Sequence, residues 1–219
     1  VKISEWEGNK LFDMPNLSCN TETSNEERLF TWEDCNLSWS EIETLHDEFD
    51  LVLDDPAYVL HNTFYKLTHI QPREIFKFKK SHIPEFNDPL KKEKNTFIGI
   101  HVRGTDFRTA DNGFWEHHFD FYHRAINTVI ENLENPFFII CTEDMNYPLV
   151  HDIRKLLTDL NVSYELGRHT DLYYDFSILS HCDVLITSSS TFGMTAGILG
   201  MPDKKIIHSA RWIKKSTNH

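Results

Sequence analysis

Between residues 96 and 208 the chain alternates strand-length apolar runs with amphipathic helical segments, and few architectures accommodate that order. The runs at 96–102 (TFIGIHV), 137–141 (FFIIC), 162–166, 183–187 (DVLIT) and 205–208 read as strands. Those at 137–141 and 183–187 are almost unbroken in apolar residues, as strands buried on both faces of a parallel sheet are. Between them, 115–133 spaces Trp115, Phe119, Tyr122, Ile126, Val129, Ile130 and Leu133 by three and four, which predicts a helix. Further helices are expected at 149–160, 172–181 and 191–199, the last stopped by Gly200 and Pro202. The order implies an α/β fold: a Rossmann-like parallel sheet with helices on both faces. Ligands bind such sheets at the carboxyl ends of the strands. The loops opening at Arg103, Thr142, Gly167, Ser188 and Ser209 are therefore where site residues are expected.

The first 90 residues are irregular and acidic. Helices are expected at 40–48, 58–67 and 72–78, followed by a polar connector at 87–95 (NDPLKKEKN). Two domains follow: 1–90, a shortened, partly helical lobe, and 91–219, the Rossmann-like domain. A length of 219 residues suffices for both. The formal net charge of -12 argues against nucleic acid and against anionic membranes, which need a basic footprint. No run of about 18 apolar residues encodes a membrane span, and no signal peptide opens the chain. Cys141 and Cys182, at the ends of apolar runs, are expected as buried free thiols, while Cys19 and Cys35 stay open to pairing. Location stays open between the cytosol, which the thiols fit, and the Golgi lumen, which the sequons at Asn16, Asn36 and Asn161 fit. His117, His118 and His123 are not spaced to share a metal on one helix face. Asp54-Asp55 reads as a turn before Pro56 rather than a metal motif. No GxSxG elbow and no P-loop is present.

Three strand ends carry chemistry. At the first, alternation puts His101 and Arg103 on one face, followed by Gly104, Asp106 and Arg108. Arg103 can fork onto two phosphate oxygens, and Gly104 lets backbone approach a ligand. A surface turn closed by an Arg103–Asp106 ion pair fits the same residues. At the second, Thr142-Glu143-Asp144 offers carboxylates able to accept the two N–H groups of a guanine edge, or an N-cap for the next helix. At the third, Ser188, Ser189, Ser190, Thr191, Phe192 and Gly193 lead into a helix start, where free N–H groups suit phosphate. A cap cluster with no ligand fits equally well.

HVRGTDF at 101–107 resembles the HxRxxD-type motif of the fucosyltransferases of the α-1,2-, α-1,6- and protein-O-fucosyl group. FFIICTED at 137–144 is similar to their strand ending in a Ser/Thr-acid-Asp turn. FSILSHCDVLITSSSTFGMTAGIL at 176–199 resembles the closing motif of the α-1,2 enzymes. Where many of those carry two consecutive arginines, this chain has Arg103-Gly104, and their Gly-rich opening is reduced to Gly8-Asn9.

The resemblance implies a two-lobed, inverting, metal-independent glycosyltransferase. It would move fucose from GDP-fucose to a hydroxyl of a glycan or protein acceptor, with lobe 1–90 on the acceptor side. By position, Arg103 would hold the donor β-phosphate. His101 and Asp144 would contact guanosine, and Ser189, Ser190 and Thr191, with Phe192 beside them, would sit at the pyrophosphate. The catalytic base would be Asp111, with Asp106 as the alternative. Another nucleotide sugar on the same fold, or an inactive nucleotide-binding relative, is the competing expectation.

Overall fold

The computed structural model describes residues 10–13, 27–30, 50–53, 73, 76–87, 94–104, 118–168 and 170–209. The expected helices at 40–48 and 58–67, Cys19, Cys35, Asp54-Asp55 and the loop holding Asp106 and Asp111 lie outside the described residues. The chain divides into two compact units, one of residues 1–9 and 13–77, the other of 10–12 and 78–219. In the first, Glu27–Phe30 pairs in parallel with Asp50–Leu53, Glu27 opposite Asp50. A helix was expected across 72–78, but Lys77–Phe78 is extended strand.

The second unit is the α/β domain. Its strands are β1 (Thr96–Val102), β2 (Pro136–Thr142), β3 (Ser163–Leu166), β4 (Val184–Thr187) and β5 (Lys205–His208). They form one parallel sheet in the order β3-β2-β1-β4-β5. The helices are α1 (Phe119–Asn132), α2 (Pro148–Asp159), α3 (Leu172–His181) and α4 (Thr191–Ile198). The strand order reverses direction at β1, so the crevice between the carboxyl ends of β1 and β4 is the switch point where such sheets bind ligands.

Alternation divides the strand side chains between the two faces. Ile98, Ile100 and Val102 of β1, Phe138 and Ile140 of β2, and Val184 and Ile186 of β4 pack with Tyr122, Ile126 and Val129 of α1 and Val150, Ile153 and Leu157 of α2. Burial of each such side chain contributes about 1.5–3 kcal/mol. Phe97, Gly99 and His101 face the other way, toward α3 and α4. A Cβ on Gly99 would stand 2.9 Å from Cys182 Sγ, which shows how closely α3 lies on β1.

The helices begin and end for local reasons. Pro148 opens α2, where its fixed φ suits the first turn and its missing N–H costs nothing. Asp171 caps α3, its side chain accepting the Tyr174 N–H at 3.0 Å. The first helix starts at Phe119, later than the expected 115, because His118 is extended. From Asp175 to His181 every residue of α3 is buried. The outer side of α3 is covered by Phe12 and Phe78, whose rings meet Phe176, and Phe78 also meets His181 at 4.7 Å. Among the described residues no helix is long and apolar enough to cross a membrane. Cys141 and Cys182 are free and buried, as expected.

Candidate active site

At the switch point, β1 delivers His101 to the interior and Arg103 to the rim. His101 is 3 % exposed. Its Nδ1 lies 3.2 Å from Ser188 Oγ, and its ring centroid lies 5.3 Å from that of Phe192. The backbone is fixed from two sides, since the Tyr122 hydroxyl and the Ser188 N–H both donate to the His101 carbonyl, at 3.0 and 3.3 Å. Burial pushes the Tyr122 phenol far above its ordinary value, so it serves as a neutral donor.

The first turn of α4 reaches the sheet because residue 193 has no side chain. A Cβ there would overlap Thr187 Oγ1 and stand 3.0 Å from His101 Nδ1. Gly104 is needed for a similar reason. A Cβ there would meet the Tyr147 ring at 2.8 Å, so the glycine expected to admit a ligand makes room for Tyr147. Glu143 holds the loop, its Oε1 accepting the Gly104 N–H at 2.9 Å and lying 3.6 Å from Arg103 Nε.

His101 and Arg103 line one cavity of about 210 Å³, together with Thr142, Glu143, Asp175 and Phe192. Leu172, 63 % exposed, stands at its edge. Asp144, expected to meet a guanine, is not in this wall. Its Oδ1 accepts the Asn146 N–H at 3.0 Å, its N–H donates to Thr142 Oγ1 at 3.2 Å, and the Tyr147 N–H donates to its carbonyl at 3.2 Å, which is the work of a turn leading into α2. The acid that faces the cavity from the helix side is Asp175, 5 % exposed, with Oδ1 accepting the Arg168 N–H at 2.6 Å. Asp175 escaped the sequence reading because it lies on α3 and not at a strand end. A carboxylate inside a helix with so few polar positions was the available signal.

Ser188, Ser189 and Ser190 are buried beneath this rim, and Thr191 is exposed. Ser190 is the N-cap of α4, but its side chain makes no capping bond. The first-turn N–H groups of α4 are thus not closed by their own cap. Cys141 also faces the cavity, where burial and then the nearby Asp175 push its thiol well above the ordinary range and keep it neutral.

The family model of glycosyl transferase family 11 matches residues 57–216, well over half of the chain. The chain belongs to glycosyl transferase family 11. Membership makes it a fucosyltransferase-like glycosyltransferase, in line with the motifs at 101–107 and 176–199. No curated protein matches this family 11 sequence. Among solved structures its fold is similar to that of POFUT1 in complex with GDP-fucose, with a TM-score of 0.52 and 11 % identity over 80 % of this chain and 59 % of that one. POFUT1 in complex with GDP gives 0.52 and 9 % over 80 % and 61 %. Its apo form gives 0.51 and 10 % over 80 % and 60 %. The family 11 chain therefore spans about three fifths of the length of these structures, and at such identities they bear on its fold alone. The expected parallel sheet with helices on both faces is the fold they share.

Proposed function

We propose that the chain transfers fucose from GDP-fucose to a hydroxyl of a glycan or protein acceptor, with inversion and without a metal ion. The observation that carries this is the convergence of Arg103 and Asp175 on one cavity at the switch point. A cation suited to a diphosphate and a buried acid suited to a base edge stand on its two sides. That structures of similar fold were solved with GDP and GDP-fucose supports the choice of nucleotide.

In this assignment Arg103 binds the β-phosphate oxygens, and the open first turn of α4, with Ser189, Ser190 and Thr191, takes the pyrophosphate. Asp175, in place of Asp144, accepts from the guanine edge, and Phe192 and Leu172 offer apolar surface to the nucleoside. His101 positions the Arg103 backbone and the α4 turn. The acceptor oxygen attacks the anomeric carbon while the bond from that carbon to the β-phosphate oxygen breaks. Arg103 stabilises the charge left on GDP. The acceptor proton passes to a carboxylate, Asp111 or else Asp106. The charge neutralisation that a metal would supply comes from Arg103 and the helix terminus.

Calorimetric titration with GDP, GDP-fucose, UDP and UDP-glucose, with and without EDTA, tests this. Binding confined to the guanine nucleotides and indifferent to EDTA is expected. Uridine binding would keep the transferase and discard fucose, and no binding at all would overturn the site.

A further inference from the structure

A second, larger cavity lies on the same domain, on the face of the sheet that α3 and α4 only partly cover. It measures about 640 Å³, within the range of small-ligand sites. Its floor is Phe97 of β1 and Phe137 of β2, with Phe86 stacked on Phe97 at 4.6 Å and 22° between ring planes. Glu165 of β3, paired with Ile139, rises from this floor. The far wall is Arg168, Asp171 and Tyr174, and the Arg168 guanidinium lies 3.9 Å above the Tyr174 ring centroid. Nothing in the nucleotide site uses these side chains.

The mixture of groups selects among ligands. An acyl chain would find the rings but leave the charged rim idle. A basic peptide would use Glu85, Glu165 and Asp171 and would be repelled by Arg168. A neutral sugar presents a C–H face that packs on aromatic rings. It also presents hydroxyls that each donate and accept. Those hydroxyls find donors in Arg168, Asn95 and Ser81 and acceptors in the three carboxylates.

The two cavities share a wall. Arg168 puts its side chain on the groove while its N–H donates to Asp175, which lines the nucleotide cavity. We propose that the groove is a glycan subsite that holds neutral sugar units of the acceptor one loop away from the donor, an assignment that deepens the transferase reading and rests on it.

Saturation-transfer NMR on the full chain with lactose, cellotriose and mannotriose, beside hexalysine and beside GDP titrations, tests this. Glu165→Ala and Arg168→Ala serve as probes, both residues being exposed, with circular dichroism to check folding. At least one oligosaccharide should bind, roughly fivefold more weakly in either variant, while GDP affinity in Glu165→Ala stays at the wild-type value. Absence of oligosaccharide binding in chain that binds GDP overturns the subsite, as does equal binding in both folded variants or preference for hexalysine. Oligosaccharide binding without GDP binding supports the groove and counts against the donor site instead.

Discussion

The carboxylate of Glu143 stands 3.6 Å from Nε of Arg103. The same oxygen accepts the Gly104 N–H at 2.9 Å, so one acid from β2's end sets both the backbone and the side chain of the β1 loop. Both side chains are about one-third exposed, so the ion pair itself is worth under about 1 kcal/mol. Its effect is to aim the guanidinium. Arg103→Ala should cost about 2–3 kcal/mol of GDP affinity, roughly 30- to 150-fold. Glu143→Gln, which keeps an acceptor for Gly104, should cost only a few-fold. Calorimetry on both variants checks the ratio, and equal losses would contradict a positioning role for Glu143.

Gly193→Ala should damage the fold and the site together. The added methyl has Thr187 Oγ1 and His101 Nδ1 in its way, and neither belongs to a flexible surface side chain. Overpacking of this kind costs about 1–3 kcal/mol. A lowered melting temperature and lost GDP binding are expected, with partial recovery of both in Gly193→Ala/Thr187→Ala. A double variant no more stable than the single one would place the strain elsewhere.

The sheet was legible because buried parallel strands leave continuous apolar runs. The limits of 96–102, 172–181 and 205–208 agree with the structure to the residue. Helix starts were less legible. The apolar period runs unbroken through Trp115 and Phe119, so periodicity has no means of registering that His118 is extended. Short strands such as Lys77–Phe78 carry too few residues to show alternation. At the site, the strand-end rule found His101 and Arg103, which meet in one cavity. It favoured Asp144 over Asp175 because a rule about strand ends is blind to a helix that folds back over the sheet.

Stability should fall with alkali sooner than lysine or arginine chemistry would suggest. Burial raises the thiols of Cys141 and Cys182 and the phenol of Tyr122 above their ordinary values. Groups held neutral in the fold contribute stability that is complete below their unfolded values and is lost as pH rises past them. Each adds a slope of about 1.4 kcal/mol per pH unit once its unfolded form ionises. Urea melts in reductant should therefore show stability declining from about pH 9, where the thiols begin, and more steeply beyond 10, where Tyr122 joins. Cys141→Ser should flatten the first part of that decline, and an unchanged slope would show that Cys141 is not held neutral by burial.

Asp111→Asn and Asp106→Asn separate the two candidate bases. Loss of the true base removes proton acceptance in the transition state, worth about 10²- to 10⁴-fold in turnover. Donor binding should survive in that variant. Single-turnover rates with GDP-fucose and a responsive acceptor decide between them. A large loss at Asp106 alone, accompanied by weaker GDP binding, would assign it to holding the Arg103 loop instead.

Asp175→Asn tests how the nucleotide is read. One carboxylate oxygen is occupied by the Arg168 N–H at 2.6 Å, and an amide oxygen can take that bond over. The position left for the nucleotide changes from acceptor to donor. A guanine edge presents two N–H groups there, so GDP should lose roughly tenfold or more through an unmatched donor pair. A uracil base presents a carbonyl beside its N–H, and UDP affinity should change little or improve. The ratio of GDP to UDP affinity is therefore the decisive quantity, because general damage to the cavity would weaken both nucleotides alike. A ratio equal to that of the wild type would remove Asp175 from base recognition and return that role to the carboxylates of the β2–α2 turn.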